Sequence, residues 1–233
     1  NSLYPNIIVQ WNMSPETIVE SERTAMNPDM ALSENHPNQN PEYALAANGV
    51  SFKKDKEGVL PKIIVDYYNE RKVVKKKMLI AQQEKENADK SNKSELYRIE
   101  RDISRYENEQ MAIKILLNSL YGVLGLPAFR FYDVDNATAV TTTGQTVIKS
   151  TADMANIKYN KELNTPNADS NIYIDTDSVF FSAVPLLDHR FPNWKEQDQN
   201  TIAGYVNDIA GEMQNYLNNF YDILGKKVFN IDK

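Results

Sequence analysis

The chain has 233 residues, with 26 Lys and Arg against 32 Asp and Glu, no Cys and two His, His36 and His189. A 41% hydrophobic share supports a packed core, and the absence of Cys excludes disulfide scaffolds, thiol nucleophiles, iron–sulfur clusters and Cys-based zinc fingers. Two His leave no His-rich metal centre, no apolar run approaches the ~18 residues of a membrane span, and a formal net charge of −6 argues against a uniformly basic nucleic-acid binder.

The chain opens at Asn1 without a signal-peptide pattern and reads as a cut piece of a longer protein. SLYPNII, residues 2–8, reads as an extended apolar strand. Residues 24–50 are rich in Asn and Pro and predict a long irregular excursion. NGVSFKKDKEGVL predicts a hairpin, with Asn48-Gly49 and Glu57-Gly58 as turn signals. A long helix is predicted from Pro61, with Ile64, Tyr67, Tyr68, Val74 and Leu79 at helical spacing. Residues 82–95 read as its fraying end and a turn. A second long helix is predicted over about 95–124, ended by Gly122 and Gly125. Together these two form an antiparallel helical hairpin.

After Pro127, AFRFYDV predicts a short strand, and a third helix over residues 135–163 is opened by Asp135 and Asn136 as caps. SNIYIDTDSVFFSAV predicts strand–turn–strand. Residues 185–200 read as a polar loop, residues 201–224 as a fourth helix and KKVFNI as a last strand. Charge is uneven along this order. Residues 53–77 carry nine Lys and Arg against four acids, while residues 1–52 carry one against six. A single basic stretch thus sits inside an acidic protein.

Four segments carry candidate chemistry. In IYIDTDSVFF, Asp175 and Asp177 are one residue apart between two apolar β-type runs, and alternate strand positions share a face. Two like charges in a low-dielectric setting call for a cation, and an oxygen-only donor set favours Mg²⁺ or Mn²⁺. A polar turn is the competing reading. In KILLNSLYG, Lys114, Asn118 and Tyr121 share one helical face. That stripe suits a phosphate and a base, or equally a mixed surface ending at a Gly cap. In NERKVVKKKM, Arg71 and Lys75 stand at i, i+4 and suit a polyphosphate, or form a solvated basic face. SLYPNII alone is a core strand.

Taken in order, these segments resemble the family B DNA polymerases. SLYPNII is similar to the family's first motif, D-x-x-S-L-Y-P-S-I-I. KILLNSLYG is similar to K-x-x-x-N-S-x-Y-G, and YIDTDS to Y-G-D-T-D-S. The NERK segment stands where that family has its fingers helix. SPET at 14–17, the NG…GVLP stretch at 48–61 and FRFYDVDNATAVTTTGQ at 129–145 are similar to the T-even phage branch. The likeness covers nearly the whole chain.

The resemblance implies an α+β fold: a discontinuous palm of antiparallel sheet and helices, residues 1–58 and 126–233, with a helical-hairpin fingers subdomain inserted at 59–125. It implies two-metal phosphoryl transfer with two Mg²⁺ ions, Mn²⁺ being a substitute, held by Asp175 and Asp177, of which Asp177 is the better candidate for direct ligation. Backbone amides of Ser2 and Leu3 would contact the triphosphate. Tyr4 would lie under the incoming sugar and exclude a ribose hydroxyl. Arg71, Lys75 and Lys114 would grip the triphosphate, with Lys114 also the general acid for pyrophosphate. Asn118, itself a nucleotide contact, and Tyr121 would check the nascent base pair. Implied partners are primer–template DNA, deoxynucleoside triphosphates and a sliding clamp reached through a C-terminal part outside the chain, with no membrane. The implied setting is the cytoplasm of an infected bacterial host.

Two departures stand out. The family's first Asp falls two residues before Asn1, so two of three expected carboxylates are present and the isolated chain is expected not to polymerise. Ile174 replaces the Gly that usually precedes D-T-D. A D-x-D glycosyltransferase and a non-catalytic helical-hairpin module binding nucleic acid are the rival readings. A reverse transcriptase is disfavoured, because the carboxylates are not adjacent.

Overall fold

The computed structural model describes residues 3–24, 30 and 40–231. Ser2, His36 and most of the Asn- and Pro-rich excursion lie outside the described residues. The architecture is α+β and mainly helical, with two small antiparallel sheets.

The first element is a helix, α1, Leu3–Gln10, where the sequence predicts a strand. Pro5 sits in the first turn, where a missing N–H costs nothing, and Ile7 and Ile8 then fall on the buried face. Asn12 ends the helix in the left-handed conformation (φ 55°), and the Met13 N–H closes onto the Ile8 carbonyl at 2.8 Å. A short 3₁₀ turn leads into β1, Ile18–Arg23, which joins β2, Tyr43–Leu45, and β3, Val50–Lys53, in the order β1-β3-β2. The hairpin predicted within residues 48–60 is therefore displaced: its VSFK half is β3, which pairs with the earlier β2 across a turn at Asn48-Gly49, where Gly49 has φ 85°, while Gly58 precedes the first residue of the next helix.

Helix α2, Val59–Asn87, and helix α3, Lys93–Leu124, form the predicted antiparallel hairpin. Cross-links at Lys85–Glu100 (2.8 Å) and Arg71–Gln110 (3.3 Å) fix their register. Asn92 caps α3 by accepting from the Glu95 N–H, and Gly125, not Gly122, is its C-cap. AFRFYDV forms turns instead of a strand; Asp133 N–H donates to the Leu124 carbonyl across it. Helix α4, Val134–Leu163, is capped by Asp133 rather than Asp135 or Asn136. Asp135 instead pairs with Arg23 of β1.

The predicted second hairpin is present as β4, Asn171–Asp175, and β5, Ser178–Phe181. Residues 185–200 are not simply a loop. Pro185 falls in the first turn of a short helix, α5, Val184–Arg190, where its fixed φ favours helix and its missing N–H has no partner to lose. A 3₁₀ turn follows at Trp194–Glu196. Helix α6, Gln199–Leu224, runs into a π-helical turn, Gly225–Phe229, where the sequence predicts a strand. Val228 and Phe229 bury themselves there, and the Phe229 ring meets Trp11 edge-on at 5.1 Å.

Two apolar cores result. The larger joins α1, the three-stranded sheet, the bases of α2 and α3 and the π-helical turn, through residues such as Ile8, Phe52, Leu60, Leu117 and Phe229. The smaller joins α4, α5 and α6 through Tyr159, Leu186, Leu187, Ile209 and Met213. Both hold α4 in place, and α4 in turn carries α1 and the β4–β5 hairpin on its flanks.

Candidate active site

Three stretches distant in sequence meet in a cleft of about 380 Å³. Helix α1 supplies Leu3, Tyr4 and Pro5, the C-terminal part of α3 supplies Asn118 and Tyr121, and the β4–β5 turn supplies Asp175, Thr176 and Asp177. Five of the sequence-selected side chains, Tyr4, Asn118, Tyr121, Asp175 and Asp177, therefore share one wall system. Ser2 lies outside the described residues.

The carboxylates reach the cleft by a different route from strand alternation. Asp175 ends β4 and pairs with Ser178, so Thr176 and Asp177 form the two-residue turn itself. Thr176 holds φ 37°, a left-handed conformation that a β-branched residue adopts only at a cost of roughly 1–3 kcal/mol. Its hydroxyl donates to Asp175 Oδ1 at 3.0 Å, and the Ser178 hydroxyl donates to the Asp175 carbonyl at 3.2 Å. The tight turn, not the pleat, brings both acids to one cleft.

Nor is the setting shielded from water. Asp175 and Asp177 are exposed, and so are Ile172, Tyr173, Ile174 and Phe180 around them. Water screens the two charges, so electrostatics alone does not require a cation. The donor chemistry still fits one. Mg²⁺ keeps several waters and is bound by one or two carboxylates together with substrate phosphates, which an exposed oxygen-only pair permits. Among the described residues there is no group of three or more His, Cys, Asp or Glu that could hold a metal alone.

Tyr4 is held from two sides in the cleft. Its ring lies 4.5 Å from that of Tyr121, tilted by 39°. Burial raises the pKa of its phenol, and the neighbouring Tyr121 and Asp177 raise it further, so at neutral pH Tyr4 is a protonated donor.

The cations lie outside the cleft lining. Lys114 precedes Asn118 by one turn of α3, Arg71 faces α3 from α2, and Lys75 is exposed one turn further along. Gln110, which the sequence reading missed, ties the two helices here. Its side-chain oxygen accepts from both Nε and a terminal nitrogen of Arg71, each at 3.3 Å. Gln110, Lys114 and Asn118 thus continue one stripe at four-residue spacing, and that spacing was the available signal. Asn12 was also missed. It binds the β3–α2 connection through the carbonyls of Lys53 and Lys56 and the N–H of Gly58, at 2.7–2.8 Å.

The sequence profile described as DNA polymerase family B matches residues 1–186. A DNA-directed DNA polymerase of Escherichia phage RB69 is 32% identical over 91% of the chain, and one of Enterobacteria phage T4 is 31% identical over 90%. The chain spans about a quarter of those relatives, 27% of each. The family B DNA polymerase of the archaeon Pyrobaculum calidifontis shares 25% identity, with a TM-score of 0.46 over 82% of the chain and 21% of its own. With the profile spanning some four-fifths of its residues, the chain belongs to DNA polymerase family B.

Proposed function

We propose that this chain is the palm and fingers portion of a DNA-directed DNA polymerase that extends a primer by template-directed transfer of deoxynucleotides in viral DNA replication. In this reading α2 and α3 are the fingers, residues 59–125, and the elements on either side are the palm. The observation that carries it is the convergence of Tyr4, Asn118, Tyr121, Asp175 and Asp177 on one cleft from three separate stretches.

Each group has a task. The incoming sugar lies against the Tyr4 ring, which leaves no room for a 2′-hydroxyl. Asn118 and Tyr121 meet the base pair being formed. Arg71, Lys75 and Lys114 draw the triphosphate toward α3, Arg71 held by Gln110 and Lys114 giving a proton to the departing pyrophosphate. Leu3, and Ser2 before it, offer backbone N–H groups to the triphosphate. Asp175 and Asp177 would hold divalent cations, Mg²⁺ or Mn²⁺, whose chemistry would be to activate the primer hydroxyl and neutralise phosphate charge. Net charge does not oppose this reading, because phosphate affinity resides in the basic stretch of residues 53–77 and in the cations. A sliding clamp would engage a part of the polymerase beyond these residues, and the phage relatives favour an infected bacterial cell as the setting.

Primer extension tests the proposal. A full-length polymerase carrying this chain is expected to add only the base complementary to the template, with Mg²⁺ and deoxynucleoside triphosphates. The 233-residue chain alone, with two carboxylates, is expected not to extend the primer. Transfer from a nucleotide sugar, or an inert full-length protein that still binds DNA, would contradict it.

A further inference from the structure

A glycine stands in the middle of α4, where alanine is the better helix former. This residue, Gly144, is buried. A Cβ built on it would meet Tyr4 Cε1 at 3.2 Å, Ile7 Cδ1 at 3.4 Å and Leu3 Cδ2 at 3.6 Å. The last two are the ends of flexible aliphatic chains in ordinary or nearly ordinary contact. The first is the edge of a ring already packed 4.5 Å from Tyr121 on another side. The helix cannot retreat easily. Thr143 beside it is wholly buried and accepts from the Ala47 N–H at 3.1 Å, and Thr146 is wholly buried as well. Gly144 does not line the cleft, whereas Tyr4 does. A group added at Gly144 would therefore push the Tyr4 ring away from α4 and into the cleft.

We propose that Gly144 is a positioning residue for nucleotide selection: by bringing the α4 backbone against the Tyr4 ring, it sets the clearance of the slot that takes the sugar. This rests on the reading of Tyr4 as the sugar-contacting residue. Gly144 acts through Tyr4 and touches no substrate. One methyl group is enough to narrow the slot, because close-packed aromatic edges yield only by moving the whole ring.

A double-mutant cycle in the full-length polymerase tests it, with Gly144→Ala and Tyr4→Ala made singly and together. Steady-state kinetics are read with a deoxynucleotide and its ribonucleotide counterpart, alongside thermal melting. Gly144→Ala alone is expected to raise the deoxynucleotide KM about fivefold, with a smaller change in kcat. In the Tyr4→Ala background the same methyl group has room, so Gly144→Ala is expected to leave KM unchanged from Tyr4→Ala alone. An equal KM penalty in both backgrounds, or none in either, would overturn the proposal and leave the reading of Tyr4 intact. Ribonucleotide exclusion that survives Tyr4→Ala would instead overturn the reading of Tyr4. A melting temperature lowered less by Gly144→Ala in the Tyr4→Ala background than in the wild-type background supports the same packing relationship.

Discussion

The Arg71 guanidinium is anchored on the side-chain oxygen of Gln110, with two of its nitrogens at 3.3 Å from that one atom. Arginine is long and rotamer-rich, so a free one loses entropy whenever it grips a phosphate. Gln110 is only 9% exposed and sits on the opposite helix, so it holds the cation at a fixed place along α3. Replacement by Leu keeps the volume and removes the acceptor. Gln110→Leu is expected to raise the deoxynucleotide KM about three- to tenfold, the worth of roughly 1 kcal/mol, with kcat changed less. Steady-state kinetics of the full-length polymerase check this, and an unchanged KM would count against the anchoring role.

Asn12 joins two properties that separate substitutions can divide. Its side chain makes three hydrogen bonds to the connection into α2, and its backbone holds φ 55°. Asn12→Gly loses the bonds and keeps an easy left-handed backbone. Asn12→Ala loses both, so it is expected to cost about 1 kcal/mol more than Asn12→Gly, within a total of roughly 2–4 kcal/mol. Urea unfolding of the 233-residue chain measures the order, which should run wild type, Gly, Ala from most to least stable. Ala equal to or above Gly would contradict it.

Arg190 binds two carboxylates at once, Glu162 at 2.5 and 2.9 Å and Glu212 at 2.7 and 3.0 Å. Its hydrogen bonds lower the pKa of Glu162 and of Glu212 below the ordinary value of 4.5, against the opposing effect of burial. Depressed folded-state values mean that the unfolded chain takes up protons first. The stabilisation is thus complete above about pH 4.5 and is lost as pH falls through the lower folded values. Glu212 is half exposed, so water screens its share, and the pair together contributes about 1–2 kcal/mol. Arg190→Met is expected to be less stable at pH 7 and to lose less on acidification. Parallel stability curves from pH 7 to pH 3 would contradict this.

Elements whose periodicity is long were legible in the sequence. The α2–α3 hairpin, α4, α6 and the β4–β5 hairpin all stand within a few residues of their predicted bounds. Short apolar runs were not. SLYPNII, AFRFYDV and KKVFNI each read as strands, yet among the described residues none finds a strand partner. Burial of Ile7, Ile8, Val228 and Phe229 in a shared core decides the first and last as helical turns. Of the residues that line the cleft, Asn118, Tyr121, Asp175 and Asp177 stand out in the sequence because each belongs to a local pattern on a helix face or a turn, while Tyr4 stands out only through the family resemblance. Asn12 and Gly144 were not legible, because each acts on a neighbour at least 41 residues away. The low-dielectric argument for a metal also failed, since Asp175, Asp177 and most of β4 are exposed.

Whether the D-T-D turn is the catalytic edge of a polymerase cleft is tested most directly by single-turnover incorporation of one correct nucleotide. The full-length polymerase is compared with its Asp177→Asn variant. Asn keeps the shape and removes the charge at an exposed position, so thermal melting should be unchanged. The expected result is a loss of at least about 10³-fold in rate, roughly 4 kcal/mol of transition-state stabilisation. A rate within about tenfold of wild type, in a protein that melts normally, would contradict the catalytic role of the turn.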